Sequence, residues 1–197
     1  MPKIPCGREA IELYFPPKEI TLKDGRTAIL RSPVEKDAQG LLDYLYLSSS
    51  ETDFVLRYPE ECGRYTLEKE KEIIEMWTTS EDEFTLTCLV DGKVAGNCNL
   101  HFEQRIKTRH RAMVAIALLK KYWGLGIGTK MFEEMIRVCE EREGVLQMEL
   151  DFIEGNSRAR GLYEKMGFRI VGVRPNAIRL KDGTLLNEYS MIREIKR

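Results

Sequence analysis

Apolar and polar residues follow two periods along the chain, and each period predicts a type of secondary structure. Between Leu146 and Phe152, apolar residues alternate strictly with polar ones, which is typical of a half-buried strand. Between Ile127 and Cys139, apolar residues recur every three or four positions, which is typical of an amphipathic helix. Over the whole chain these patterns predict the order β, α, α, β, β, β, α, β, α, β, β. This order indicates a mixed α/β sheet rather than a regular alternation of strands and helices.

The predicted strands in the middle of the chain are marked by a turn and by a long apolar run. Residues 84–90 and 93–102 flank Asp91-Gly92, a dipeptide that is typical of a tight hairpin. Residues 113–119 are apolar throughout. A strand with no polar positions is typical of a sheet interior covered on both sides, so we expect this strand to be buried on both faces.

The chain is predicted to hold an N-terminal arm, residues 1–19, followed by a single domain, residues 20–197. The Pro16-Pro17 pair stiffens the junction between the two. After it there is no stretch rich in Gly, Ser and Pro that could act as a linker. The remaining predicted elements are an extended segment with a turn at Asp24-Gly25 (residues 20–31), a helix opened by Pro33, a helix capped by Thr66, and two closing strands (residues 168–174 and 186–193).

Composition and charge narrow the classes of partner. The 197 residues carry 31 basic and 32 acidic side chains, for a formal net charge of -1. Non-specific binding to nucleic acid requires a basic surplus, so no nucleic-acid partner is expected. The longest apolar run, residues 112–119, is much shorter than the roughly 20 residues that span a bilayer, so no membrane association is expected. The N-terminus lacks the apolar core of a signal peptide, and the predicted location is cytoplasmic.

Cysteine and histidine usage argues against a metal site. The chain has five cysteines and two histidines, and no two cysteines form a CxxC pair. Zinc sites and thioredoxin-like redox motifs both depend on such close spacing. We therefore expect free thiols and no bound metal.

A glycine-rich segment between a strand and a helix has the chemistry of an anion site. Gly124, Gly126 and Gly128 lie directly before the helix, whose first N–H groups have no acceptor within the helix. Glycines let the backbone approach a ligand closely, and a diphosphate fits such a helix end. The dinucleotide fingerprint G-x-G-x-x-G fits poorly, because Thr129 occupies its last position and the segment follows a late strand. A P-loop also fits poorly, because Gly-Lys-Ser/Thr is missing.

Two segments together resemble the motifs of the GCN5-related N-acetyltransferase (GNAT) superfamily. Residues 123–128, Trp-Gly-Leu-Gly-Ile-Gly, are similar to its acetyl-CoA loop, Arg/Gln-x-x-Gly-x-Gly/Ala. Residues 156–168 are similar to its second motif, Asn-x-x-Ala-x-x-x-Tyr-x-x-x-Gly-Phe. Trp123 departs from the usual Arg or Gln, so backbone amides would carry more of the phosphate binding. The resemblance covers about residues 20–197 and implies a mixed, mostly antiparallel sheet of about seven strands flanked by about four helices.

The resemblance implies acetyl-CoA as co-substrate. In the family the pantetheine arm lies between two strands that separate, and it pairs with the backbone of the first. It also implies that a glycine loop holds the pyrophosphate and that an Asn contacts the cofactor near the thioester. The implied cofactor-binding residues are Ile116, Ala117 and Leu118 on the strand, Gly124, Leu125, Gly126, Ile127, Gly128 and Thr129 in the loop, and Asn156.

The implied chemistry is direct attack of a primary amine on the thioester in a ternary complex. Tyr163 matches the family tyrosine that protonates the leaving thiolate, and the backbone N–H of Leu118 is the expected oxyanion donor. An alkyl amine is mostly protonated at neutral pH, so a group must accept its proton. Glu103, at the end of a strand, is the first choice for this base. Asp151, Glu154 and a chain of water molecules are alternatives.

The sequence does not decide whether the acceptor is a small-molecule amine or a protein amine. Residues 51–65, which the family would place on the acceptor side, hold four carboxylates together with the aromatic residues Phe54 and Tyr58. These groups attract a cationic amine, but they are also common in an exposed loop. A homodimer is possible. The alternative functions are a catalytically silent CoA-binding sensor or interaction module and, less well matched, a nucleotide-binding domain.

Overall fold

The computed structural model describes residues 13–195, which form one eight-stranded sheet with helices packed on it. All neighbouring strands in the sheet are antiparallel except β5 and β6, which are parallel. The strands follow the order β1-β2-β3-β4-β5-β6-β8-β7 across the sheet. They are β1 (Lys18–Thr21), β2 (Thr27–Arg31), β3 (Glu83–Val90), β4 (Lys93–Phe102), β5 (Arg111–Leu118), β6 (Gln147–Ile153), β7 (Arg169–Arg179) and β8 (Leu185–Glu194).

Four helices flank the sheet, and both of its faces are covered near the centre. β3 is buried along almost its whole length, and α2 and α3 both contact it. The apolar residues that recur along α3 are buried, as the helical period predicts. The helices are α1 (Ala38–Glu51), α2 (Leu67–Thr79), α3 (Ile127–Glu141) and α4 (Ser157–Lys165).

The mixed, mostly antiparallel α/β fold is confirmed, with eight strands where the sequence predicts about seven. The sequence pattern treats residues 20–31 as one extended segment, whereas the structure has two strands here, and β1 begins at Lys18, within the predicted arm. Gly25 has φ +86°, and the turn around it folds this segment into the β1–β2 hairpin. The predicted helix starting at Pro33 begins with a 3-10 turn at Glu35–Asp37 before α1.

β5 and β6 are joined only at their first residues. The registered pairs are Arg111 with Gln147, Ala112 with Met148, and Met113 with Glu149, after which the two strands separate. The pairing of β5 with β4 continues to Leu118 on the other side. The prediction that residues 113–119 are buried on both faces is therefore wrong for the second half of β5, which borders the gap and is partly exposed.

The described part of the N-terminal arm packs on the domain. Leu13 and Phe15 are buried in the hydrophobic core, and the Phe15 backbone N–H donates to Ser32 Oγ at 2.9 Å. Residues 1–12 of the predicted arm lie outside the described residues. In the range 13–195, no helix has the length and apolar character needed to cross a membrane.

Candidate functional site

The gap between β5 and β6 opens into a cavity of about 520 Å³. Its lining combines the loop between β5 and α3 with residues from the loop after α1 and from strands β6 and β8. Of the twelve site residues named from the sequence, ten line this cavity. They are Ile116, Ala117, Leu118, Gly124, Gly126, Ile127, Gly128, Thr129, Asn156 and Tyr163.

Leu125 and Glu103 are the two predicted site residues that are absent from the cavity lining. Leu125 packs against the core, and its carbonyl oxygen accepts a hydrogen bond from the Lys23 backbone N–H at 3.1 Å. Glu103 follows β4, and its backbone N–H bonds to the carbonyl of Arg111 at the start of β5. Seven strand steps, about 23 Å, separate that point from Leu118 at the end of β5. Sequence position alone did not reveal this, because it depends on which strand β4 pairs with.

The glycine loop needs glycine for two different reasons. Gly124 and Gly126 have φ of +77° and +92°, a region that is unfavourable for residues with a Cβ, and Gly126 is the N-cap of α3. Gly128 has no such φ, but a Cβ there would lie 2.8 Å from a methyl group of Leu162. Its role is to let α3 and α4 approach closely.

The loop and the first turn of α3 present a row of free amides. Within residues 13–195, no backbone N–H from position 124 to position 129 donates to a backbone carbonyl. The first bond of the helix runs from the Lys130 N–H to the Gly126 carbonyl at 3.1 Å. Free N–H groups and the positive end of the helix dipole together favour an anion at this end of the cavity.

Two cationic side chains that the sequence analysis missed also line the cavity near this loop. Lys23 comes from the β1–β2 turn, and its Cγ lies 3.8 Å from the position of a Cβ on Gly126. Arg158, in the first turn of α4, stacks on the indole ring of Trp123 at 5.1 Å. Neither could be assigned from the motif, because the fold brings them from distant segments to the place where Trp123 replaces the usual cation or amide.

Two side chains fix the end of β5 where it diverges from β6. The Trp123 indole Nε1 donates to the Leu118 carbonyl at 2.7 Å. The Tyr44 hydroxyl, on α1, donates to the Ala117 carbonyl at 3.0 Å. The residue that departs from the family motif thus has a structural use, because it ties the strand to the glycine loop.

Asn156 and Tyr163 lie at opposite ends of α4 and both reach the cavity. The Asn156 Oδ1 caps the helix by accepting from the Ala159 N–H at 3.2 Å, which leaves its Nδ2 as a donor. The Tyr163 ring packs edge-on against Phe132 and Phe152, with centroids 5.6 and 6.1 Å away. Burial raises the pKa of its phenol to about 12. Within the described part of the chain, its hydroxyl makes no hydrogen bond.

Asp151 and Glu188 bring carboxylates to the part of the cavity that β6 and β8 line. Asp151 is one of the alternative bases predicted from the sequence, whereas Glu188 is not. The only sequence signal for Glu188 was its place in a closing strand of alternating pattern. Arg174 on β7 lies between them, 3.1 Å from Glu188 and 3.7 Å from Asp151.

The loop after α1 contacts two other loops beside this part of the cavity. Phe54, which follows α1 and lines the cavity, lies 3.6 Å from the position of a Cβ on Gly155. Farther along the same loop, the Tyr58 hydroxyl accepts from the Lys181 backbone N–H at 3.1 Å. The Lys181 side chain lies over the Tyr58 ring and pairs with Glu60. The loop after α1 is therefore held in place by the β7–β8 turn.

A family model and several known proteins match this chain. The model of the acetyltransferase (GNAT) family matches residues 47–168. The L-amino acid N-acetyltransferase AaaT of Escherichia coli is 29% identical over 108 residues, 55% of this chain and 66% of that protein. A putative ribosomal protein bS18-alanine N-acetyltransferase of Bacillus subtilis is 29% identical over 86 residues, 44% of this chain and 54% of that protein. The chain thus spans between about half and two thirds of these relatives.

Solved structures share the fold over most of the chain. A GNAT-family acetyltransferase from Streptococcus pneumoniae matches with a TM-score of 0.79 and 28% identity, covering 86% of this chain and 99% of that one. A phosphinothricin acetyltransferase from Sinorhizobium meliloti, solved in complex with AcCoA, matches with a TM-score of 0.73 and 18% identity, covering 89% of each chain. The mixed sheet, the gap between its parallel strands and the family match define the class: this chain belongs to the acetyltransferase (GNAT) family.

Proposed function

We propose that this protein transfers an acetyl group from acetyl-CoA to a primary amine by direct attack in a ternary complex. The observation that carries the proposal is the gap between β5 and β6, which runs from the free amides of residues 124–129 to Tyr163. A diphosphate at one end and a thioester at the other match the two ends of this cavity chemically. Bound this way, acetyl-CoA supplies the activated acetyl group.

The residues around the gap fit the parts of acetyl-CoA. The amides of residues 124–129 would hold the pyrophosphate, with Lys23 and Arg158 adding positive charge. The separated backbone at Ile116 would pair with the amides of the pantetheine arm, in the place of a missing neighbouring strand. The free Nδ2 of Asn156 would donate to the cofactor near the thioester.

Two groups near the thioester would assist the reaction, one by stabilising the oxyanion and one by protonating the leaving thiolate. As the amine nitrogen attacks the carbonyl carbon, a C–N bond forms and the C–S bond breaks. The Leu118 N–H is the proposed donor to the oxyanion. Tyr163 would protonate the leaving thiolate, and its raised pKa keeps the phenol protonated at neutral pH, ready to donate.

Binding and turnover test the proposal separately. We expect CoA to bind the purified chain in calorimetry, and backbone amide NMR signals of residues 124–129 to shift on titration. We also expect thiol release from acetyl-CoA to depend on an added amine. A flat calorimetric titration would contradict the cofactor site. Saturable CoA binding without amine-dependent thiol release would favour the silent sensor instead.

The amines tested as acetyl acceptors should include both small molecules and a protein-like amine. The matched relatives are named for L-amino acids and for the alanine of a ribosomal protein. The panel therefore pairs L-amino acids and 1,4-diaminobutane with a peptide that begins with alanine. A small-molecule or protein amine stays the proposed partner. A cytoplasmic location and a homodimer stay predictions.

Lys23 provides a first test of the phosphate end. Replacing it with alanine removes a cation beside the glycine loop and leaves the loop amides in place. Because the contact is solvent-accessible, we expect the Kd for CoA to rise by about three- to ten-fold. Lys93→Ala is the matched control, since Lys93 is an exposed lysine at the start of β4, away from the cavity. Equal Kd values for both variants would remove Lys23 from the site.

A further inference from the structure

Two carboxylates in the part of the cavity lined by β6 and β8 have acceptor sites that no described residue fills. Glu188 is 9% exposed, and its contact with Arg174 at 3.1 Å is an ion pair. Across residues 13–195, no hydrogen bond is donated to either of its oxygens. Asp151 accepts one hydrogen bond, from the Ser190 hydroxyl at 2.6 Å. Both carboxylates therefore keep acceptor sites open to the cavity, and a cationic ligand that donates hydrogen bonds would be favoured here.

These carboxylates lie across the sheet from Tyr163, at the same level of β6. Phe152 packs against the Tyr163 ring on one face. Successive side chains of a strand point to opposite faces, so Asp151 and Ile153 point to the other face. Glu188 is the cross-strand partner of Ile153 and shares that face. A thioester lying in the gap would therefore have the phenol on one side and the carboxylates on the other.

We propose that Asp151 and Glu188 bind the amino group of the acceptor as a primary alkylammonium, and that Glu188 takes its proton. This inference rests on the proposed acetyl transfer. Two carboxylates and one guanidinium leave a net charge of -1 around the pair, which favours a cationic group. The ammonium gives one proton to Glu188, and its freed lone pair attacks the thioester carbon to form the C–N bond. The C–S bond breaks as the thiolate takes a proton from Tyr163, and one of the two protons left on the attacking nitrogen passes to the tyrosinate, directly or through water, which gives the neutral amide and restores the phenol. The charges and protons then balance.

An equivalent ion pair elsewhere on the same strands separates this role from a structural one. Glu194 on β8 pairs with Arg169 on β7 at 3.0 Å, as Glu188 pairs with Arg174. Glu194 is outside the cavity lining and more exposed. If these pairs serve only to fasten β8 to β7, neutralising either glutamate will have similar effects.

Turnover of the variants is the first measurement. We expect Glu188→Gln to lower kcat/KM for the amine by about ten-fold or more, because it loses both ammonium binding and proton acceptance. Asp151→Asn, which keeps Glu188, is expected to raise the amine KM with a smaller change in kcat. The Kd for CoA should stay within about two-fold in both variants, because the phosphate end is unchanged. Glu194→Gln should match the wild type.

Binding of a charged probe and its neutral analogue gives a readout that does not depend on turnover. The CoA-saturated protein is titrated with 1,4-diaminobutane and, separately, with 1,4-butanediol. We expect saturable NMR shifts at the amides of residues 151 and 188 with the diamine only, and their loss in Glu188→Gln.

The outcomes separate the two proposals. Unchanged turnover in Glu188→Gln, or equal shifts with the diol, would overturn the ammonium site while leaving acetyl transfer intact. A diamine that shifts neither residue would overturn it as well. Failure of the wild type to bind CoA would instead contradict the proposed function itself.

Discussion

Replacing Tyr163 with phenylalanine is expected to lower acetyl transfer by about ten-fold or more while leaving CoA affinity within about two-fold. The phenol lies in a buried ring cluster and faces the cavity, so removing its oxygen takes away the proposed proton donor and preserves the packing of the ring. Initial rates of thiol release at saturating acetyl-CoA and amine, together with calorimetry for CoA, measure the two effects.

Tyr189→Phe is the matched control for this experiment. Tyr189 stacks on Phe152, with ring centroids 5.2 Å apart, but it does not line the cavity. Removing the Tyr189 hydroxyl should leave turnover unchanged. If Tyr163→Phe also keeps full turnover, the tyrosine is a core residue and the thiolate takes its proton from water.

The raised pKa of Tyr163 sets the sign of its pH dependence. Burial favours the neutral phenol, so the pKa is about 12 in the folded chain against an ordinary value of 10.0 for tyrosine. The group stays protonated throughout the neutral range and adds no inflection to a rate profile there. Its contribution to folding stability is complete below the unfolded pKa and is lost as the pH rises through the folded one.

Replacing Gly126 with alanine is expected to raise the Kd for CoA by about ten-fold or more, since it disturbs several amides at once. With φ +92° at the N-cap of α3, this residue sets the direction of the free N–H groups that follow. A Cβ there costs about 1 kcal/mol or more of backbone strain, which the loop can relieve by rotating those amides away.

Gly183→Ala controls for strain alone. Gly183 has φ +90° in the β7–β8 turn, with open space where a Cβ would lie, and it is outside the cavity lining. Both variants should lose comparable stability in thermal unfolding, but only Gly126→Ala should weaken CoA binding. Equal CoA affinity in the two variants would mean that the loop amides do not hold the phosphates.

The local motifs were predictable because their function depends on spacing along one short segment. The free amides of residues 124–129 follow from glycines before a helix, and Asn156 and Tyr163 follow from one turn pattern on α4. The structure brings these to one cavity, as the motifs imply. The eighth strand was not predicted because the turn at Asp24-Gly25 was not recognised as a tight hairpin turn between two strands.

The other site residues depend on pairing and packing that no local pattern encodes. Lys23 reaches the glycine loop because the β1–β2 turn lies beside it, and Glu188 reaches the cavity because β8 pairs with β6. Glu103 directly follows β4, but β4 directs that end away from the glycine loop. The apolar run in β5 has the composition of a buried strand, and only the missing partner beyond Met113 exposes it.

The short seam between β5 and β6 divides the sheet into two plates, one of five strands and one of three. Three residue pairs at one end fasten the plates along this line, with the Arg111–Glu149 ion pair beside them. A molecule bound in the open part of the seam would contact both plates. It would keep them apart there and also connect them through its own contacts. Any ligand that binds only the folded form adds its binding energy to folding. The stability of the folded chain would then vary with the concentration of the molecule that fills the seam.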